Sequence, residues 1–304
     1  MTVSEGNAET AAPSASSMAA EDDREAKQHV YNVMSRSGTS FAWGMRILPR
    51  AGREAMYAIY AFCREIDDIA DEGGTTAEKK TALDAWRIEI DRLYNGQPQK
   101  LTARALHKPI KRFDLPKSEF IMLIEGMQID AEGSLRAPKL DTLLHYCRRV
   151  AGAVGLLSMR VFEAPRGAEA DRFALSLANA LQFTNILRDL EEDADRNRLY
   201  LPQELLRKHG IASGDPKSVL SHANLGAVCA DMATLAEGHF ADSRRALAHF
   251  DWRRVRPAMP MMGVYEGYLH RMIDRGWSEP TKPVTMPKAL KVATALRYAV
   301  SPPL

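Results

Sequence analysis

Two stretches of this chain set rows of carboxylates into helices that are otherwise apolar, and few folds can accommodate both. In YAIYAFCREIDDIADE, Tyr57 to Glu72, the residues Tyr60, Arg64, Asp67 and Asp71 fall at i, i+4, i+7 and i+11, one helical stripe, with Asp68 beside it. Ile59, Phe62, Cys63, Ile66, Ile69 and Ala70 surround that stripe, so most of the helix has to be buried, and a buried row of acids needs a partner. In LQFTNILRDLEEDADRNRLYLP, Leu181 to Pro202, the residues Gln182, Asn185, Asp189 and Asp193 follow at spacings of three, four and four on a slowly drifting stripe. Carboxylates one turn apart, about 6 Å along the axis, repel unless water, a base or a metal neutralises them. Oxygen-only ligands favour Mg²⁺ over Zn²⁺. Arg188 and Arg198 stand beside the acids, so the neighbourhood suits a metal together with the anion it carries, which points to a phosphorylated ligand.

One acidic cluster alone would read as a solvated face or a set of i, i+4 salt bridges. Two clusters, each embedded in an apolar helix and each carrying an arginine, point to a site. The remaining pattern is helical almost everywhere from about Lys27, with no alternating run long enough for a strand, so the expected fold class is all-α. Pro49 can start the first acid-bearing helix and Gly73-Gly74 can end it. Thr75 to Glu78 offers a capping box for the next. Further helices are expected near 78 to 94, 117 to 131, 141 to 163, 168 to 195, 217 to 249 and 253 to 275. Residues 1–25, rich in Ala, Ser, Thr and acids, read as a disordered tail, 26–278 as one helical domain, and the Pro-rich 279–304 as an extension that wraps the surface or forms one last short helix.

The 304 residues, 45% apolar, are enough for one compact domain or two small ones. A net charge of +2 supplies no basic footprint for nucleic acid. No segment has the roughly 18 uninterrupted apolar residues of a transmembrane helix, so any membrane contact would be peripheral. Cys63, Cys147 and Cys229 lack metal or redox spacing and fit a reducing cytoplasm. The helix 141–163 carries Ala151, Gly152, Ala153, Gly155 and Ser158, small residues that let a second helix or a long ligand approach its backbone. Glu125, Gln128 and Asp130 in EGMQID are polar in an apolar setting and stand as supporting candidates. Arg46, Arg50 and Arg53 fit a solvated helix start better than a role in guiding an anion.

Taken together, YAxCRxxDDxxD (Tyr60 to Asp71) and QxxNxxRDxxEDxxxxRxYLP (Gln182 to Pro202) resemble the signatures of the squalene and phytoene synthase family. The flanks SFAWGMRILP and YCRRVAGAVGLLSMRVF agree, so the likeness runs over about residues 35 to 275. REAMYAIYAFCREIDDIADE and YLHRMIDRGW are most similar to the bacterial branch that makes presqualene diphosphate for hopanoid synthesis. Some carotenoid-forming relatives carry a histidine in the lead-in to the SF pair, where this chain reads SRSGTSF with Ser37, which weakens a carotenoid assignment.

The resemblance implies a single-domain isoprenoid-synthase-type helical bundle with a central apolar cavity. It implies a prenyltransferase of farnesyl-diphosphate farnesyltransferase type, which joins two farnesyl diphosphates head to head (1'-1) into presqualene diphosphate. Mg²⁺, with Mn²⁺ as a substitute, is the implied cofactor, held by Asp67, Asp71, Asn185, Asp189 and Asp193; NADPH is not expected for this half-reaction. Substrate and diphosphate would be bound by Ser40, Phe41, Tyr60 and Arg64 on one side and by Gln182, Arg188, Arg198 and Tyr200 on the other. Catalysis would fall to Tyr146 with Arg64, Asp67 and Asp71. Tyr60, Phe41, Leu181, Phe183 and the Gly152 to Gly155 segment are candidates for the cavity wall. A cytoplasmic enzyme, at most peripheral at the inner membrane face, would hand its product to a squalene-forming enzyme. Phytoene, dehydrosqualene or squalene remain alternative products. A non-catalytic scaffold on the same fold is the alternative from another class, and the intact acids of both motifs argue against it.

Overall fold

In the computed structural model, which describes residues 15–36, 41–133, 135–212 and 214–301, the helical spacing is realised almost throughout. The first half comprises α1 (Ala15–Arg36), α2 (Phe41–Ile47), α3 (Arg50–Asp71), α4 (Thr76–Tyr94), α5 (Leu101–Arg112) and α6 (Lys117–Glu132). Then α7 (Leu140–Cys147) runs through a π-helical turn, Arg148–Gly152, into α8 (Ala153–Val161). The second half holds α9 (Ala168–Arg188), α10 (Leu190–Asp195), α11 (Gln203–Lys208), α12 (Pro216–Leu220) and α13 (Leu225–Leu247). A 3₁₀ segment, Trp252–Ala258, leads into α14 (Met259–Arg275), and α15 (Lys288–Val300) closes the chain. Among the described residues there is no strand, only an isolated bridge between Arg136 and Leu199. None of the described helices is long and apolar enough to cross a membrane.

Local chemistry sets most of the helix ends. Pro49 stands at the N-cap of α3. Thr75 and Glu78 form the expected capping box on α4: the Glu78 N–H donates to Thr75 Oγ1 at 3.3 Å and the Thr75 N–H to Glu78 Oε2 at 2.7 Å. Gly133 ends α6 in the left-handed region, φ 60°, which favours a residue without Cβ.

Several boundaries differ from the sequence expectation. Helix α1 begins at Ala15, inside the stretch read as a tail. Helix α5 lies outside the expected helices and holds Pro109, which lacks a backbone donor. Burial of Ala103, Leu106 and Ile110 offsets that loss. The expected continuous helix 168–195 is broken at Asp189 (φ −107°, ψ 21°), and the stretch 217–249 divides into α12 and α13. The last short helix exists, as α15.

Burial organises the chain into two apolar bodies. One is built mainly on α1 and α3 to α6, where Phe62 meets Trp86 and Phe120 edge-on with centroids 5.1 and 5.2 Å apart. The other centres on α9 packed along α13, with α14 beside them. Val150 in the π turn packs against both bodies, and Arg148 ties that turn to α6 by donating to both Glu119 carboxylate oxygens at 2.8 and 2.9 Å. The three cysteines are free thiols.

At Gly44 on α2 a methyl group would stand 2.2 Å from the backbone oxygen of Pro257. Gly44→Ala is therefore expected to cost about 1–3 kcal/mol in urea denaturation. Gly73→Ala, whose methyl meets nothing within 4 Å, is expected to leave the midpoint nearly unchanged.

Candidate active site

The two acid-bearing stretches, far apart in sequence, line one cleft of about 710 Å³. From α3 come Tyr60, Arg64, Asp67, Asp68 and Asp71; from α9 and α10 come Gln182, Asn185, Arg188, Asp189 and Asp193. The break at Asp189 re-aims the second stripe without losing its ladder, since the Asp189 N–H still donates to the Asn185 carbonyl and the Asp193 N–H to the Asp189 carbonyl, both at 2.9 Å. Arg198 and Tyr200 enter from the segment after α10. Backbone bonds pin that segment to residues 135–137, with the Leu199 N–H donating to Leu135 O at 3.1 Å and the Ala137 N–H to Leu199 O at 2.8 Å.

Arginines hold the carboxylates. Arg198, buried, donates to Asp71 at 2.8 Å and so joins the two stretches. Arg188 grips Asp189 through two bonds of 2.7 and 2.6 Å while its guanidinium lies over the rings of Tyr265 and Tyr268. Arg64 pairs with Asp68 at 2.6 Å and, at 3.5 Å, with Asp67. This neutralisation is incomplete. Burial first and the neighbouring Asp71 second push the Asp67 carboxyl up to about 6. Burial and then Asp189 push Asp193 up to about 7. The buried Asn185 Oδ1 has no hydrogen-bond partner.

Among the described residues no three Asp, Glu, His or Cys side chains are gathered so as to hold a metal ion as they stand. The donor set nonetheless fits a hard cation: every candidate ligand is an oxygen, Asp67 and Asp193 are each pushed up by burial and by a neighbouring carboxylate, and the Asn185 oxygen lacks a donor. Asp71 and Asp189 are occupied by arginines that a cation and its anion would compete with.

Asp130 is the central residue of the site that motif reading left among the supporting candidates. Its carboxylate, buried on α6, accepts from Tyr146 Oη and from Tyr200 Oη, each at 2.7 Å. The two phenol rings stack at 5.2 Å. With each hydroxyl proton committed to Asp130, the 3.4 Å approach of the two oxygens is proximity rather than a strong bond. Burial, and after it Asp130, drive the Tyr146 phenol well above its ordinary pKa, so it stays protonated. Burial likewise raises the Asp130 carboxyl, against the Arg198 charge. Glu125 and Gln128 turn elsewhere, to Arg149 and to Arg87.

An apolar cavity of about 400 Å³ adjoins the cleft and shares Asp67, Val150, Gln182, Asn185 and Tyr265 with it. Leu181, Ala151, Val154 and Gly155 line it, as the sequence led one to expect of Leu181 and the small-residue segment. Gly152 instead serves helix packing, its missing Cβ leaving room for Leu175 and Arg148. Phe183, expected on the cavity wall, is instead fully buried in the core, edge-on to His239, and lines neither cavity. Arg46, Arg50 and Arg53 line a separate groove beside α1. Ser40 lies outside the described residues, and Phe41 is the first residue of α2. Tyr265 and Arg196 reach the cleft without any motif position to announce them, and Glu192, the glutamate of the second signature, reaches it although the sequence reading gave it no role.

Residues 34–288 match the squalene/phytoene synthase family. The chain is 44% identical over 266 residues to a presqualene diphosphate synthase of Rhodopseudomonas palustris, covering 86% of this chain and 94% of the relative. It is 43% identical over 271 residues to a presqualene diphosphate synthase of Zymomonas mobilis, covering 89% and 92%. The crystal structure of a squalene synthase from Alicyclobacillus acidocaldarius superposes with a TM-score of 0.76 at 25% identity, covering 87% of this chain and 97% of that one.

The strain at Asp193 gives a test of the electrostatics. An acid whose folded pKa exceeds its unfolded value favours folding while protonated and loses that contribution as the pH rises, here from about 4 to about 7. Asp193→Asn is expected to stabilise the metal-free protein by about 1 kcal/mol at pH 8. The gain should shrink as the pH is lowered toward 4; urea denaturation across that range reads it directly.

Proposed function

The chain belongs to the squalene/phytoene synthase family, and from that premise we propose that it condenses two farnesyl diphosphates head to head into presqualene diphosphate, the precursor of squalene and hopanoids. The observation that carries this reading is the shared wall between the polar cleft and the apolar cavity: Asp67, Gln182, Asn185 and Tyr265 border both. Such a boundary suits a ligand with a charged head and a hydrocarbon tail, its reactive carbon at the junction. Relatives named presqualene diphosphate synthase, at 40 to 44% identity, support the product.

The reaction breaks one allylic carbon–oxygen bond, whose electron pair leaves with the diphosphate. The double bond of the second molecule attacks the resulting cation, and loss of a proton closes a cyclopropane. The product keeps the second molecule's diphosphate. Carbon is not reduced in this step, so NADPH has no role in it.

Asp67, Asp71, Asn185, Asp189 and Asp193 would hold Mg²⁺, or Mn²⁺ in its place. When bound, the metal would neutralise phosphate oxygens and so stabilise the leaving anion. Arg64, Arg188 and Arg198 would take up the remaining charge, exchanging a carboxylate for a phosphate partner. Gln182 and Tyr60 would orient the diphosphate end. The cavity wall of Leu181, Val154 and Gly155 would keep water from the cation.

Tyr146 stays protonated, so it serves poorly as a free base. It can accept the proton while passing its own to Asp130, whose raised pKa suits that task. The released diphosphate is the other acceptor. We infer a cytoplasmic enzyme, with any membrane contact peripheral at the inner face. Its product would pass to a squalene-forming enzyme.

Purified protein given farnesyl diphosphate and Mg²⁺ should yield a presqualene alcohol only after phosphatase treatment, with or without NADPH. Squalene or dehydrosqualene would refute the product, and reaction with geranylgeranyl diphosphate alone would make the protein a phytoene synthase. The double variant Asp67→Asn/Asp71→Asn should lose turnover. Inertness of the wild type toward both diphosphates would favour a scaffold. Tyr146→Phe should lower kcat on the order of a hundredfold with KM little changed.

A further inference from the structure

Helix α15 carries apolar residues on both of its faces, yet among the described residues only one face is covered. Its sequence KALKVATALRYAV contains no carboxylate. Inward, Ala295, Tyr298 and Ala299 are buried on α14, where the Tyr298 ring fills the space left by Gly263 and its hydroxyl donates to Glu266 at 2.6 Å. On the opposite side Ala289, Ala293, Leu296 and Val300 follow at i, i+4, i+7 and i+11, with Leu290 and Arg297 along the edge. All six are exposed, Leu296 by 60% and Val300 by 68%. Of the six large hydrophobic side chains exposed among the described residues, three lie on this one helix. An apolar stripe left exposed on a helix whose other face is already packed calls for a cover.

The charges around the stripe indicate what that cover is. Lys288 and Arg297 are exposed on α15 itself. Arg253, Arg254 and Arg256 are exposed on the 3₁₀ segment, which is tied to α15 by the bond from Arg256 Nε to the Ala299 carbonyl at 2.6 Å. The acid at the start of that segment, Asp251, is already held by the Arg253 backbone and guanidinium. Trp252, half-buried, lies under the Arg253 guanidinium. A ridge of leucine and valine that carries Lys288 and Arg297 on its own helix, with an arginine-rich segment bonded to its C-terminal end, matches the boundary between phosphates and acyl chains. A second copy of this chain is a poor match, because a two-fold contact sets the patch against itself and brings like charges together. The same 3₁₀ segment supplies Pro257 and Ala258 to the wall of the apolar cavity.

We infer that the outer face of α15 docks on an anionic phospholipid bilayer, with Leu290, Leu296 and Val300 entering the headgroup boundary and Lys288, Arg297 and the 3₁₀ arginines meeting lipid phosphates. The contact lies on the membrane and does not span it. It goes beyond the reaction proposed above, and its test needs no substrate, so the two can fail separately.

The full chain is sedimented with phosphatidylglycerol vesicles and, separately, with phosphatidylcholine vesicles. Binding is expected to phosphatidylglycerol, stronger than to phosphatidylcholine, and weakening as salt is raised. Leu296→Ser/Val300→Ser should lower the partition on the order of tenfold or more. Lys288→Gln/Arg297→Gln, which leaves the apolar ridge intact, should lower it severalfold and flatten the salt dependence. Circular dichroism and turnover without vesicles report that each variant is folded. Failure of the wild type to bind phosphatidylglycerol would overturn the inference, as would binding that neither variant alters. A dimer in sedimentation velocity that Leu296→Ser/Val300→Ser dissociates, with no vesicle binding, would make the face a protein interface instead.

Discussion

Carboxylates taken partly out of water beside one another are the constraint around which this molecule is built. Asp67 and Asp71 on α3 and Asp189 and Asp193 after α9 line one cleft, and the repulsion within each row is countered by arginines. Arg198 matters most among these. It is buried, it bonds Asp71 from the other half of the chain, and its backbone is anchored by the contacts of Leu199 with residues 135–137. With it the two acid rows remain incompletely neutralised, which is the state in which a cation and a polyanion are attracted.

The second organising element is the Asp130 carboxylate with its two tyrosine donors. Tyr146 arrives from α7 and Tyr200 from the segment after α10, while Asp130 belongs to α6. Three separate parts of the chain thus converge on one carboxylate at the bottom of the cleft. The π turn that follows Tyr146 packs Val150 against both apolar bodies and puts it on both cavities. A π turn of this kind lets one helix serve two differently oriented surfaces, and such turns are frequent at functional sites.

Polar cleft and apolar cavity share a wall, so charge neutralisation and water exclusion act on adjacent atoms. That adjacency is what a reaction through a carbocation requires: the departing anion is held at one end while the cation is kept dry at the other. The arginines that hold Asp71 and Asp189 are also the groups best suited to receive phosphate.

The sequence by itself determined the all-helical class, most of the helices and the two polar stripes, because a helical period of 3.6 residues is a local property and needs only neighbours in the chain. Tyr60, Asp67 and Asp71 share a face for that reason, and the capping box at Thr75 was legible for the same one. Distant contacts were not. Phe183 sits one residue after Gln182 yet points into the core, because tertiary packing chose which flank of α9 is covered by α13. Asp130 resembles any polar residue in an apolar helix until Tyr146 and Tyr200, 16 and 70 residues further on, are brought to it. The break at Asp189 and the uncovered face of α15 belong to the same class. Each depends on which surfaces meet, and that is decided by the burial of apolar area across the whole molecule rather than by the order of residues along one helix.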